Sequence, residues 1–338
     1  MISADPSASR TQAPPASEGG GPARRLPVID AARAAALLAM AAYHATWDLG
    51  FLRLSPENYA LSGLGRAAAH VIAGSFLVLV GIGLVLMNGR GIRPRPTLFR
   101  LLRIALAAAA ITAATWVAFP DSFIFFGILH CIAVASVLGL PFLFLPAWAS
   151  AACAILVLAA PHLVRAEVLD APALLFLGLG AGTPRTNDYV PLFPWFGMVL
   201  AGIAAGRLGL TRLARSRLGR WQPRSRLGRA ATFAGRHSLA IYLVHQPVLL
   251  GLLSGGAMLT GPHPRAGEAG FRAEYVQNCR RTGGEARSCR VAARCTMERL
   301  RGEDLWRADG GFTPEQRLRA QGLSQACYEA AEGTRAAP

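Results

Sequence analysis

The sequence predicts an all-α protein: a polytopic membrane helix bundle of about seven spans, followed by a small Cys-containing helical tail. Of the 338 residues, 53% are hydrophobic and only 16% are charged, a balance too apolar for a soluble domain, in which about 25% of residues are charged. Several separate apolar runs reach the roughly 20 residues that a helix needs to cross a hydrocarbon core of about 30 Å. The chain therefore belongs in a bilayer.

Seven apolar segments are the predicted spans of this bundle. The fifth is the shortest, and Pro141 and Pro146 supply the turn that precedes it. The approximate ranges are 29–48, 67–87, 101–119, 124–145, 147–163, 189–209 and 238–259.

The basic residues predict the orientation of these spans. The chain has no lysine, and seventeen arginines fall in the N-terminal tail and in segments 88–103 and 207–236. The segments 49–66, 119–123 and 164–188 together hold four. Because arginine accumulates on the cytoplasmic side of a membrane, the N-terminus is expected in the cytoplasm and the C-terminal tail outside. Arginines sorted to one face indicate topology and anionic lipid, so no nucleic-acid partner is expected despite the net charge of +16.

The two ends of the chain differ in composition from the apolar middle. Residues 1–25 are rich in Pro, Gly, Ala and Ser, which predicts a disordered cytoplasmic tail. No apolar core precedes residue 26, so a cleaved signal peptide is not expected. Residues 26–260 form the transmembrane domain, and the polar residues 261–338 form an extracytoplasmic tail of two or three helices.

Four of the six cysteines lie in this tail, at positions 279, 289, 295 and 327. No two are spaced as C-x-x-C, so a metal site is not expected, and their even number in an exported segment predicts two disulfides. Three pairings remain open. The helices predicted around 290–308 and 314–331 would allow Cys295 and Cys327 to staple a helical hairpin. The sequence TPEQ at 313–316 predicts a capping box at the start of the second of these helices.

The first span carries a polar stripe on one face. Six residues recur there every three or four positions: Asp30, Arg33, Leu37, Met40, His44 and Asp48. His44 and Asp48 are four residues apart, so the carboxylate could orient the imidazole and raise its basicity, as a general base requires. His70, His130 and His245 are alternative bases. The candidate catalytic residues are His44, Asp48, His130 and His245.

A second set of polar residues lies near the predicted inner face. Arg33, Arg103 and Arg236 are placed where they could hold the phosphates of an anionic cofactor, since guanidinium binds phosphate through two parallel hydrogen bonds. Arg100 lies at the same face, and any one of these arginines could instead be a plain topology signal.

Four sequence blocks resemble a known family in the same order. They are IDAARAAALLAMAAYHATWDLGF, FPDSFIFFGILHCIAVAS, DYVPLFPWFGMVLAGIAAG and GRHSLAIYLVHQPVL. They resemble bacterial membrane proteins related to heparan-alpha-glucosaminide N-acetyltransferase. The resemblance implies an acyltransferase-like domain, in a bacterial inner (plasma) membrane, that takes an acyl group, acetyl in this family, from cytoplasmic acetyl-CoA or another acyl-CoA. The implied acceptor is an amine or hydroxyl of a sugar or glycan.

Two positions depart from the family pattern. Ala34 stands where the pattern has glycine after the arginine, and residues 49–66 contain no histidine where the lysosomal enzyme has its catalytic one. Either His44 or His70 takes that role, or the chemistry is not shared. Two other classes stay open: a transporter of a sugar or lipid intermediate, which would use the same polar path, and a non-catalytic scaffold, which would need none of the buried polar groups.

Overall fold

The computed structural model describes residues 26–89, 91–307 and 312–336, and this part of the chain contains eleven α-helices and no β-strand. The predicted N-terminal tail at 1–25 lies outside the described residues. The helices are α1 Pro27–Phe51, α2 Gly63–Asn88, α3 Pro94–Ala118, α4 Ile128–Gly139, α5 Ala147–Leu163, α6 Leu192–Arg215, α7 Arg226–Arg236, α8 Ser238–Thr260, α9 Glu268–Arg281, α10 Ala286–Gly302 and α11 Pro314–Ala336.

The helix lengths agree with a membrane bundle. Five helices are long and apolar enough to cross a bilayer, namely α1, α2, α3, α6 and α8, and the shorter apolar helices are α4 and α5. Together these seven correspond to the seven predicted segments. Helix α3 begins seven residues before its predicted start because Pro94 and Pro96 fit the first helical turn, where their missing N–H groups have no partner to lose.

The fourth predicted span, 124–145, is α-helical over only twelve residues, followed by a short 3-10 turn at Pro141–Leu143. Ahead of α4 the chain is held in a non-helical path: Asn187 N–H donates to Ser122 O and Val190 N–H donates to Phe126 O. Asp188 then caps α4 by accepting from the Ile128 N–H at 2.9 Å. The apolar run alone could not indicate where the helix begins. The residues that hold the preceding segment in its non-helical path lie some sixty positions away in sequence.

A close crossing of α2 and α6 forms the centre of the bundle. A Cβ atom on Gly81 would overlap the carbonyl oxygen of Val199, and one on Gly202 would overlap that of Val78. The two backbones approach closely because both positions lack side chains, the usual device of helix contacts in membranes. Around this crossing Leu77, Leu84, Val199, Leu200 and Ile203 are fully buried.

The structure confirms the two disulfides and the capping box predicted for the C-terminal tail. Disulfides join Cys279 to Cys289 and Cys295 to Cys327, and the second one links α10 to α11. The capping box also forms, since Gln316 N–H donates to Thr313 Oγ1 at 3.2 Å and Thr313 N–H donates to Gln316 Oε1 at 3.0 Å. The tail contacts the α1–α2 loop, where His263 N–H donates to Arg53 O at 2.8 Å.

Candidate active site

A cavity of about 680 Å³ opens beside the start of α1, between α2, α3, α4 and the α7–α8 junction. Its volume lies within the roughly 300–1,000 Å³ of small-molecule sites. We call it the arginine cavity because five guanidinium groups line it: Arg33, Arg93, Arg100, Arg103 and Arg236. The three arginines proposed from sequence are therefore brought together, although they come from three separate helices.

Asp30 is the carboxylate that lines this cavity within the described residues. It is buried, with Oδ1 3.0 Å from Arg33 Nη1 and Oδ2 3.4 Å from Arg236 Nε. Helix α7 reaches this position because Gly235 packs directly on the backbone of Asp30, where a Cβ atom would overlap the carbonyl. One acid thus positions two cations from α1 and α7.

The remaining cations leave the cavity strongly positive. Arg100 Nη1 is buried and has no hydrogen-bond partner among the described residues. Leaving a buried charged donor unsatisfied costs more than leaving a neutral one unsatisfied. Five guanidinium groups against one carboxylate therefore suit a ligand with several negative charges, and Arg100 is free to bind it.

The cavity leads toward a second polar group deeper in the bundle. Tyr242 lines the cavity on α8, and the centre of its ring lies 5.6 Å from that of His245. The ring of His245 in turn lies 5.2 Å from the ring of His44 on α1. Tyr242 therefore connects the arginine cavity to the predicted histidines.

His44, Asp48, His245 and Gln246 form this second group, which we call the histidine cluster. Asp48 is fully buried, and its Oδ1 accepts a hydrogen bond of 2.8 Å from Gln246 Nε2. Three buried atoms here have no partner within the described residues: Asp48 Oδ2, His245 Nε2 and Gln246 Oε1. Unpartnered buried polar atoms are rare in folded proteins, so three in one cluster require an explanation, and a catalytic role is one.

The predicted pairing of Asp48 with His44 is wrong. The helical spacing brings the two residues to one face, but Gln246 of α8 packs against that face and supplies the hydrogen bond to Asp48. Of the hydrogen bonds described, none joins His44 to Asp48. The partner lies 198 residues away in sequence, so spacing along α1 could not indicate it.

His130 lies apart from the histidine cluster. Its Nδ1 accepts from the Gly127 N–H at 3.2 Å and so caps the start of α4, and its Nε2 lies 3.1 Å from Thr112 Oγ1 and ties that start to α3. The neighbouring Asp188 caps the same helix, and burial raises its pKa to about 6, although the Ile128 N–H opposes that shift. His70 stacks on Trp195, with ring centres 5.5 Å apart, and is exposed.

Sequence reasoning missed Gln246, Tyr242 and Arg93. Gln246 had a usable signal, because an uncharged polar residue follows directly after a histidine inside an apolar span. Tyr242 gave no such signal, since an aromatic residue in a membrane span usually packs against apolar neighbours. Arg93 resembled the other arginines of its loop.

These features define a class: a polytopic helical membrane protein with a cationic cavity at one end of its bundle and a half-buried histidine–carboxylate cluster beyond it. The family model described as heparan-alpha-glucosaminide N-acetyltransferase, catalytic, matches residues 25–247, and the chain belongs to this family. No curated protein and no solved structure matches the chain. The matched region contains every residue of the arginine cavity and of the histidine cluster, whereas the disulfide-bonded tail lies outside it.

Proposed function

We propose that this protein is a membrane acyltransferase that moves an acetyl group from acetyl-CoA, or a related acyl group from its acyl-CoA, to an amine or hydroxyl of a sugar or glycan. The observation that carries the proposal is the connection of the arginine cavity, through Tyr242, to the histidine cluster. The family supports acetyl transfer in a membrane.

The arginine cavity suits the phosphates of the acyl donor. Arg33 and Arg236 are held by Asp30, while Arg100 presents an unpartnered Nη1. Arginine binds phosphate through two parallel hydrogen bonds, which orients the ligand as well as holding it. The thioester of the bound donor supplies the acyl group.

The separation of the two groups also fits such a donor. Arg33 and His44 both lie on α1, eleven residues apart, which corresponds to a rise of about 16 Å. A donor that binds by phosphates and reacts at the far end of an extended arm would bridge this distance. Apolar side chains such as Leu79, Val80 and Leu239 line the cavity wall and suit that arm.

The orientation completes the proposal. With the N-terminus in the cytoplasm of a bacterial inner membrane, the arginine cavity faces the compartment that holds acyl-CoA. The ends of α1 and α8, and the tail beyond them, then face the outside, where a glycan acceptor would enter. His44, Asp48, His245 and Gln246 lie between the two entrances and can take a proton from the acceptor.

The test uses the full-length protein in lipid vesicles with acetyl-CoA labelled on the acetyl group. We expect release of free CoA thiol and transfer of label to an amino sugar such as glucosamine. Arg100→Ala should reduce donor binding, whereas Arg165→Ala, an exposed arginine of the α5–α6 loop, should not. Label that crosses the membrane on an intact carrier, without thiol release, would favour the transporter and contradict the acyltransferase.

A further inference from the structure

We infer that His245, through its Nε2 atom, is the proton-accepting residue of this site, and that Gln246 is a positioning residue that holds Asp48 beside it. The inference rests on the proposed acyltransferase function. It selects His245, on α8, from the candidate bases, whereas the α1 stripe had favoured His44 and the family pattern had left His44 or His70.

The hydrogen bond of His245 fixes its tautomer. His245 Nδ1 lies 2.6 Å from the carbonyl oxygen of Tyr242. A carbonyl oxygen only accepts, so Nδ1 carries the hydrogen and the neutral ring has its lone pair on Nε2. That nitrogen is buried without a partner among the described residues. A base oriented by one ring nitrogen, with its other nitrogen available to accept a proton, is the arrangement that general base catalysis requires.

The other unpaired atoms of the histidine cluster are also acceptors. Gln246 donates its Nε2–H to Asp48 Oδ1 and leaves its own Oε1 unpaired, while Asp48 Oδ2 is unpaired as well. A group that satisfies these three atoms must donate hydrogens. The nucleophile of the acceptor carries N–H or O–H and meets this requirement, whereas a thioester has no donor to offer. The histidine cluster therefore binds the acceptor, and the arginine cavity binds the donor.

No hydrogen bond among the described residues orients the ring of His44. Its described contacts are ring contacts, with Tyr43 at 5.9 Å and with His245 at 5.2 Å between ring centres. His44 thus forms a wall against which His245 packs, and its removal leaves the hydrogen-bonded base in place.

His245 alone can carry out both proton transfers of the reaction. As the acceptor nitrogen or oxygen forms its bond to the acyl carbon, His245 Nε2 takes the proton from that atom. The carbon–sulfur bond breaks, and the protonated His245 returns the proton to the departing thiolate. The products are the acylated acceptor and a free thiol, and His245 is neutral again.

The tautomer is measured directly by nitrogen-15 NMR on full-length, histidine-labelled protein in lipid. The signals of His245 are identified by their loss in His245→Asn. We expect the Nδ1–H tautomer with an unprotonated Nε2 in protein without substrates. An Nε2–H tautomer overturns the inference, whatever the activity, because no lone pair would face the acceptor.

Kinetics with acetyl-CoA and glucosamine as the probe acceptor provide the second test. We expect His245→Ala to lose about 10²- to 10⁴-fold in kcat, with acetyl-CoA affinity within about twofold of wild type, and to regain part of the rate with added imidazole. His44→Ala should lose about tenfold or less. His162→Ala, an exposed histidine at the end of α5, is the matched control and should keep the wild-type rate.

The role of Gln246 is tested by the pH profile. Gln246→Glu keeps the shape but donates to Asp48 only when protonated, so its rate relative to wild type at the same pH should rise as the pH falls, whereas the relative rate of Gln246→Leu should stay low at every pH. Parallel pH profiles in the two variants overturn the positioning role. An active His245→Ala beside an inactive His44→Ala returns the base to His44 and leaves the acyltransferase standing. Wild-type protein that binds no acetyl-CoA and releases no thiol overturns the proposed function itself.

Discussion

At the scale of single residues, the arginines of the cavity differ in whether a carboxylate pairs with them. Asp30 neutralises part of Arg33 and Arg236, whereas Arg100 has a buried Nη1 without a partner among the described residues. An arginine that is already paired with a carboxylate mainly orients the bound anion. An unpaired buried arginine contributes more to the free energy of anion binding, because the anion gives it its first partner. The arginines of the cavity should therefore differ in their contribution to donor binding.

Replacement of individual arginines tests this difference. Arg100→Ala should weaken acetyl-CoA binding by about 10- to 100-fold, the value of one or two hydrogen bonds between charged groups. Arg33→Ala and Arg236→Ala should weaken it less because Asp30 already holds these cations, and Arg103→Ala should weaken it less because Arg103 is exposed. Lysine at the same positions should restore binding only in part, because an ammonium group cannot bind phosphate bidentately. Titration calorimetry of the purified variants measures this. Unchanged affinity in all four alanine variants would refute the placement of the donor.

At the scale of helices, close packing of α2 on α6 holds the bundle together. The crossing depends on Gly81 and Gly202, at which any side chain would meet a backbone carbonyl. Such an overlap cannot be relieved by rotating a side chain, so the helices would have to separate.

Substitution of these glycines should therefore destabilise the whole domain. Gly81→Leu and Gly202→Leu should lower the melting temperature of the detergent-solubilised protein by several degrees or prevent folding, since overpacking typically costs about 1–3 kcal/mol and backbone overlap more. Gly251→Leu on α8 is the matched control, because a Cβ atom there meets nothing within 4 Å. Equal melting temperatures for all three variants would contradict the close crossing.

At the scale of the whole molecule, the C-terminal tail packs against the α1–α2 loop, which the proposed topology places on the same, outer side of the membrane. The tail contacts the α1–α2 loop through His263 and Arg53, and through an ion pair of Arg272 with Glu57 at 4.0 Å. Its small cluster of buried apolar residues is centred on Met297, Leu300 and Leu323. Two disulfides compensate for this limited core by restricting the unfolded chain.

The disulfides should be present in protein taken from cells if the tail faces an oxidising compartment. Alkylation under denaturing conditions, before and after reduction, should add four labels on reduction, all in the tail. Cys131 and Cys153, which are free thiols in the bundle, should react in both samples. Four reactive tail thiols before reduction would contradict the outside placement.

Topology is measured separately by reporter fusions. Fusions at residues 95 and 222 should report the cytoplasm, and fusions at 175 and 300 should report the opposite side. The reason is that segments 88–103 and 207–236 hold fourteen arginines, whereas the loops of the other side hold four. A cytoplasmic report at residue 300 would require an even number of membrane crossings, and α4 or α5 would then not span.

The sequence by itself determined the membrane class, the seven apolar segments and the disulfide-bonded tail. These features follow from composition, from the length of apolar runs and from local spacing, all of which are recorded along the chain. The capping box at Thr313 and Gln316 is of this kind, since both partners lie within one helical turn.

Only the tertiary structure decided which polar residues meet. It brought Arg33, Arg103 and Arg236 into one cavity, replaced the expected His44–Asp48 pair by Gln246 and Asp48, and placed His130 at a helix start. The physical reason is that buried polar groups pair with whichever complementary atom packing brings within about 3 Å. Between α1 and α8 that atom lies 198 residues along the chain, where no periodicity of either helix can indicate it.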